Sequence, residues 1–308
     1  MAKHSFLFIT LIDPLHNGAG QGLGLIDRPI IRERTTGFPM IQPSSIKGVL
    51  RDVYDEKWSP DKAKVKALFG PEPGKGEEHS GAISFGEGQL LAFPIRSLRG
   101  CFVWATSPLL LHRFKEKSVI AGVSLTKIDP LLEKVIAADK PMICDGSEDE
   151  LLVGPKPLAG QPDRRPLMLE EYSYEATASL ELKKFAGDVA DKIFGSTFFL
   201  NAEFKKKLIL LPEDTFRYFV TNATEVVPNI QIGDEGVTKD GSLRYTEYLP
   251  RESVLYSLII HEKTKDAVLK WNDSDVKAAF DKDFSERRIQ IGGDETTGKG
   301  LVSLIRIS

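Results

Sequence analysis

Along the 308-residue chain the spacing of apolar positions alternates between a period of two and a period near 3.6. The first clear run, HSFLFITLI at residues 4–12, is rich in β-branched and aromatic side chains and predicts a largely buried strand. A long glycine-rich loop follows, and then PSSIKGVLRDVYDEKW. There Ile46, Val49, Leu50 and Val53 recur at helical spacing, and Ser44 or Ser45 can cap the helix behind Pro43. Lys47 and Arg51 are four apart and should point the same way. A short helix is expected from Lys62 to Phe69, ahead of GPEPGKGEEHSG, whose Pro, Gly and charge content reads as an exposed insertion.

Strands are expected at about 81–86 and 101–106, and SPLLLHRFKEK reads as a serine-capped helix. From about 118 to 166 no period is clear; LLVGPKPLAGQPDRRP reads as a protruding arm. Residues 167–178 alternate like a strand, and 179–194 read as a helix with Leu180, Leu182, Phe185, Val189 and Ile193 available for burial. Strands at 207–212 and 254–261 bracket QIGDEGVTKDGSLRYTEYLP, where Asp240-Gly241 signals a hairpin or flexible finger. A helix near 264–281 leads into RRIQIGGDETTGKGLVSLIRIS, two strands around a glycine-rich turn. This order is compatible with an α+β sandwich of ferredoxin type carrying long insertions.

Composition narrows the class without naming a function. With 41% apolar and 28% charged residues, the chain reads as an ordinary globular protein. Lys and Arg number 41 against 44 Asp and Glu, a net charge of −3, so there is no global pull toward nucleic acid or anionic membrane; a polyanion site has to be a local patch. Cys101 and Cys144 lie far apart without a CxxC spacing, which argues against a zinc site or a disulfide framework and fits a reduced cytosol. The N-terminal apolar run is short, is broken by Thr10 and Asp13, and lacks a small-residue cleavage site, so it reads as a strand, not a targeting segment.

Two glycine loops carry the candidate chemistry. In the second, Gly293, Gly298 and Lys299 match a Walker A spacing, but Gly300 stands where the magnesium-binding hydroxyl should be, and only eight residues follow, too few for the required helix. The first, HNGAGQGLGLIDRP at 16–29, has the alternating glycines of a phosphate cradle. A dinucleotide loop must turn straight into a helix, whereas here Pro29, Ile30 and Ile31 favour extended chain. If the first and last strands are neighbours in one sheet, both loops and the N-terminus of the Lys47/Arg51 helix line one groove, a length suited to a polynucleotide backbone.

Taken together, HNGAGQGLGLIDRPIIRERTTGFPMIQPSSIKGVLRD, YTEYLPRES and IQIGGDETTGKGLVSLIRI resemble the RAMP superfamily of CRISPR proteins. Within it they are most similar to the backbone subunits of type III-B, or Cmr, effector complexes. The resemblance covers essentially the whole chain in order. It implies one domain over 1–308, an RNA recognition motif-like palm with fingers, web and thumb, and protruding insertions near 150–166 and 230–250. It further implies copies stacked head to tail along a CRISPR RNA beside other Cmr subunits, and cutting of the paired target RNA at regular intervals.

In that family the carboxylate of the first loop is required for cutting, and it falls on Asp27. An Asp on such a loop can act as a base or as ligand to a divalent ion, Mg or Mn. His16 has the titration range of an acid or base, and Glu247 with Tyr248 can add a carboxylate and a phenol to the same cut. Ser44, Ser45, Lys47, Arg51, Gly298 and Lys299 are the expected RNA-backbone contacts, which position a guide without reading its sequence. Arg164 and Arg165 in the proline-rich arm are open to RNA or to a neighbouring subunit. A purely structural guide-binding backbone, the related type III-A subunit and a stand-alone guide-processing ribonuclease remain as alternatives.

Overall fold

A computed structural model describes residues 2–22, 24–72, 79–135, 139–195, 197–266, 268–284 and 287–307. The first strand, β1 (Lys3–Leu11), explains the architecture around it. Phe6 and Phe8 face one hydrophobic cluster while Leu7, Ile9 and Leu11 face another, so successive side chains bury on opposite sides and the strand reads as a continuous apolar run.

The chain continues through β2 (Met40–Ile41), α1 (Pro43–Lys57), α2 (Lys62–Phe69), β3 (Ile83–Phe85), β4 (Gly88–Arg96) and β5 (Phe102–Thr106). It then runs through α3 (Pro108–Ala121), α4 (Ile128–Val135), β6 (Met142–Cys144), α5 (Glu148–Leu151), β7 (Leu167–Leu169), β8 (Tyr172–Tyr174), β9 (Thr177–Ser179), α6 (Leu180–Phe194) and α7 (Phe198–Lys207). Next come β10 (Leu208–Leu210), α8 (Glu213–Asn222), β11 (Glu225–Asn229), β12 (Arg244–Tyr248) and β13 (Val254–His261), followed by α9 (Asp273–Asp283), β14 (Arg287–Gln290) and β15 (Leu301–Ile307).

The main sheet runs β14-β15-β1-β13-β4-β5-β10-β6-β9, with β2 on β4 and β3 on β13. Its heart, β15-β1-β13-β4, is antiparallel throughout. With α1 following β1 and α9 following β13, this is the strand order of the ferredoxin-like fold the sequence suggested. Residues 97–253 are a long insertion between the second and third strands of that unit. They extend the sheet through β5, β10, β6 and β9 before returning as the β11-β12 hairpin.

Each face has its own helices. On one, Tyr54 of α1 stacks on Phe280 of α9 with ring centroids 5.1 Å apart, and its hydroxyl donates to the Phe280 carbonyl at 2.7 Å. On the other, Phe114 of α3 meets Phe6, Phe8, Tyr256 and Phe185. The cap expected at Ser107 is present: its Oγ accepts from the Leu110 N–H.

Several expectations need correcting. The helix α1 begins at Pro43, so Ser44 and Ser45 lie in its first turn and neither caps it; Gln42 is the cap position and makes no side-chain bond there. Leu180 is 46% exposed, because it opens α6 on the side away from the core. The final helix starts at Asp273 instead of about 264; Asn272, with Asp275, supplies the capping box that sets its start. The sequence reading also passed over β4, which lies between the strands expected at 81–86 and 101–106. Its middle is apolar on both faces and so shows no alternation, and Pro94 argues against a strand. From Phe93 onward, however, β4 pairs with β5 alone, so the proline sits where one side is no longer paired to β13. Residues 73–78 of the expected exposed insertion lie outside the described residues.

His261, at the end of β13, is fully buried and bonds Ser5 Oγ through Nε2 at 3.0 Å. Burial, with Lys277, Arg306 and His4 adding positive charge, pushes its pKa down to about 3. Between the ordinary histidine value and that figure the unfolded chain binds a proton that the folded chain excludes. Stability present above about pH 6.5 is therefore lost as pH falls through this window, by roughly 1 kcal/mol per pH unit. Chemical denaturation at a series of pH values should show this slope, and H261N should flatten it; an equal slope in both proteins would contradict the assignment.

Candidate active site

The first glycine loop folds back on itself. Ala19 N–H donates to Pro29 O and Gly22 N–H to Asp27 O, both at 2.9 Å, and Ile31 N–H reaches Asn17 O at 2.8 Å. The chain bends at Leu25 and Asp27 and runs extended only from Arg28 on, where Pro29 and the β-branched Ile30 and Ile31 favour it. Its other edge lies against β12: Arg28 N–H donates to Tyr245 O at 3.1 Å, and Glu247 N–H donates to Arg28 O at 3.0 Å.

Pairing of β1 with β15 brings the second glycine loop to the same place. Gly293 N–H donates to His16 O at 2.9 Å. The approach demands glycine at 292, where φ is 87° and an added Cβ would lie 2.5 Å from the His16 carbonyl oxygen. The N-terminus of α1 joins through Ser45, whose Oγ donates to Asn17 Oδ1 at 3.1 Å. Both loops and the helix therefore meet, as the sequence had suggested.

Asp27 lies on the exposed rim of this assembly. One carboxylate oxygen, Oδ2, accepts the Tyr245 backbone N–H at 2.7 Å; among the described residues no hydrogen bond is made to Oδ1. The side chain is thereby oriented while one oxygen stays open to solvent.

Glu247 is placed very differently from the second catalytic carboxylate expected of it. It is 3% exposed. Its Oε2 accepts from Ile30 N–H at 3.0 Å, and its Oε1 accepts from Arg32 Nη2 at 2.5 Å and from Thr224 Oγ1 at 2.8 Å. Arg32 also donates to the carbonyls of Gly37 and Val220. A carboxylate so surrounded fastens the loop exit to β12 and to the end of α8, and it presents no open oxygen.

Tyr248 is likewise buried. Its hydroxyl donates to Asp294 Oδ2 at 2.8 Å, and burial, then the bond to Asp294 and its charge, push the phenol up to about 12. Burial alone would raise the Asp294 carboxyl, but the bonds from Tyr248 and Arg28 and the Arg28 charge hold it below its ordinary range. Arg28 reaches Asp294 Oδ1 with Nη1 and Nη2, each at 3.2 Å, and Lys299 Nζ stands 4.8 Å from the centre of the Tyr248 ring. Since a carbonyl only accepts, His16 carries its proton on Nδ1, which donates to Glu247 O at 2.8 Å; its ring meets Tyr248 edge-on at 5.7 Å.

The remaining candidates divide. Ser44 is exposed at the start of α1, and Lys47 is half-buried, with its pKa lowered by that burial and secondarily by Arg51. Arg51 is largely committed within the protein, donating from Nη1 to the Gly70 and Pro71 carbonyls at 2.8 and 3.1 Å, where it closes the end of α2. Gly298 is exposed in the left-handed region at φ 74°. Arg165 in the proline-rich arm is tied to Asp163 and Asp149. Sequence reasoning missed Arg28, Asp294 and Arg32. The only available signal was the adjacency of Arg28 to Asp27, because the charged partners, Asp294 for Arg28 and Glu247 for Arg32, lie 266 and 215 residues away.

Among the described residues no group of three or more His, Cys, Asp or Glu is arranged to hold a metal ion, and no helix is long and apolar enough to cross a membrane. Cys101 is exposed and Cys144 is buried, both as free thiols.

The model of the RAMP superfamily matches residues 8–303. The CRISPR system Cmr endoribonuclease Cmr4 of Pyrococcus furiosus is 34% identical over 299 residues, covering 95% of this chain and 92% of that protein. The crystal structure of oligomeric Cmr4 from Pyrococcus furiosus superposes with a TM-score of 0.70 at 28% identity, covering 99% of each chain. A chain of a type III-B Cmr-beta structure bound to cognate target RNA shares the fold, with a TM-score of 0.73 at 21% identity over 98% of this chain and 96% of that one. With the family model matching nearly the whole chain and a Cmr4 endoribonuclease similar to it from end to end, the chain belongs to the RAMP superfamily and, within it, to the Cmr4 family.

Proposed function

We propose that this chain is a backbone subunit of a type III-B CRISPR RNA-guided effector complex. It binds CRISPR RNA as a head-to-tail oligomer and cuts the guide-paired target RNA at regular intervals with Asp27, in the cytoplasm. One observation carries the reading: an exposed carboxylate, oriented by a backbone N–H, on a loop tied down from both sides, in a chain 34% identical to a protein named as an endoribonuclease. The relatives solved as an oligomer and in a complex with target RNA support the stacked copies and the substrate.

The chemistry uses the RNA's own 2′-hydroxyl. Its oxygen attacks the adjacent phosphorus while its proton passes to the open oxygen of Asp27. The bond to the 5′-oxygen breaks, and that oxygen takes a proton from solvent, leaving a 2′,3′-cyclic phosphate and a 5′-hydroxyl. The bond from Tyr245 N–H fixes the carboxylate so that little reorganisation is needed on reaction. Where a divalent ion, Mg or Mn, is bound, the open oxygen of Asp27 would hold it together with phosphate oxygens of the substrate, in place of taking the proton, which would then pass to solvent; such ions commonly take one or two carboxylates and keep water. When bound it would supply charge compensation at the phosphate.

Glu247 and Tyr248 act through position. Glu247 holds the loop exit, and the raised phenol of Tyr248, donating to Asp294, has little tendency to exchange its proton. His16 is buried, with Nδ1 donating to Glu247 O and Nε2 packed against Gly18, so it too acts by holding the first loop in place. Guide phosphates are received at the start of α1 by Ser44 and Lys47, where the helix dipole favours an anion, with Ser45 bound to Gln42 O and Asn17 and fixing the turn beneath them, and at Gly298 and Lys299 in the second loop. Arg51 contributes to this site mainly by fixing α2 beneath it.

In a reconstituted complex, D27A should abolish periodic target cleavage while assembly and target binding persist; undiminished cleavage would mean that this chain is a structural backbone and that cutting occurs elsewhere. E247A should differ in kind. It leaves Arg32 and the Ile30 N–H without their buried acceptor, so both cleavage and stability fall, the latter by about 3 kcal/mol. Thermal denaturation of the two variants separates the roles, with D27A melting close to the unsubstituted protein and E247A well below it.

A further inference from the structure

Arg28 follows Asp27 directly, and nothing above gives its guanidinium a part in cutting. Its backbone is fixed on both sides by Tyr245 O and Glu247 N–H, so its Cα cannot drift relative to the Asp27 carboxylate. The guanidinium is less firmly held. Both terminal nitrogens share the single oxygen Asp294 Oδ1 at 3.2 Å, the long end of the range, and the Arg28 side chain is 39% exposed. The other oxygen of Asp294 is occupied by Tyr248. Arg28 therefore cannot form the two parallel bonds that make an arginine–carboxylate pair strong.

We infer that Arg28 is a catalytic residue held in reserve, leaving Asp294 to grip the scissile phosphate when target RNA enters. An exposed, one-oxygen ion pair contributes little stability, so releasing it costs little. A phosphate offers two non-bridging oxygens to the planar guanidinium fork, a geometry Asp294 does not provide. As the 2′-oxygen adds to phosphorus, negative charge grows on those same oxygens, and a donor pair aimed at them favours the transition state over the ground state. Asp294 is not left unpartnered by the exchange, because Tyr248 still donates to it and Lys299 stands over the same ring. Its role is to keep the cation folded beside Asp27 until a better anion arrives.

This inference rests on the assignment of cutting to the Asp27 loop, and single-turnover cleavage by the reconstituted complex tests the two separately. With D27A inactive, R28A should cut roughly a hundredfold more slowly, the size of effect expected for loss of one transition-state donor, while target affinity changes by no more than a few fold. R28K, which keeps the charge but loses the fork, should fall between. D294N still accepts from Tyr248 but holds Arg28 less, and should cut about two- to fivefold faster at subsaturating target, a gain of the size a screened ion pair contributes. A structural clamp would give the opposite sign, with D294N as slow as R28A; that result, or R28A within threefold of the unsubstituted rate while D27A is inactive, overturns the role of Arg28. Full activity of D27A would instead overturn the site assignment itself.

Discussion

The buried carboxylate of Glu247 is the interaction on which the site depends. It sits on β12, at the end of a 157-residue excursion from the ferredoxin-like sheet spanning positions 97 to 253, and it reaches back to the first loop of the chain. By accepting from Ile30 N–H, Arg32 and Thr224 together, it joins the loop exit, β12 and the end of α8. A charge in such a place is tolerated only because each of its neighbours donates to it. The consequence is mechanical: with the exit held, Asp27 stands three residues away on the rim, at a defined distance from β12, with one oxygen fixed and the other open.

Around that anchor the sheet does the rest. The β1–β15 pairing fixes His16 against Gly293, and the turn at Gly292 leaves no room for a side chain. Ser45 links α1 to Asn17. A chain with a net charge of −3 can thus place Arg28 and Lys299 beside Asp294 and Tyr248, close to Asp27, without becoming a basic protein. On the proposed function, affinity for a polyanion comes from a local site repeated in stacked copies, not from the field of a single chain.

Much of this was legible in the sequence because it is local. The apolar, β-branched and aromatic run of β1, the Ser107 cap and the glycine-rich turn between β14 and β15 depend on neighbours a few residues away. Lys47 and Arg51 share a helix face as their spacing requires, yet they diverge in use, since Arg51 finds the carbonyls of Gly70 and Pro71. What was not legible depends on distant partners. Glu247 reads in sequence as a free carboxylate among tyrosines, and only the fold brings Arg32 and Thr224 to it. Asp294 and Arg28 are 266 positions apart, and no periodicity announces their contact. The strand β4 was obscured for a different reason: burial on both faces erases the alternation by which a strand is recognised.

The central claim is that Asp27 presents its open oxygen to the reacting ribose of a target strand. A structure of the assembled complex with guide and a target carrying 2′-deoxyribose at the cleavage position tests it most directly. The account predicts Asp27 within hydrogen-bond or ion-bridged reach of that sugar and its phosphate, with the Tyr245 N–H still bound to Oδ2. A scissile phosphate lying against another part of the complex, with Asp27 facing solvent or the guide alone, would contradict it.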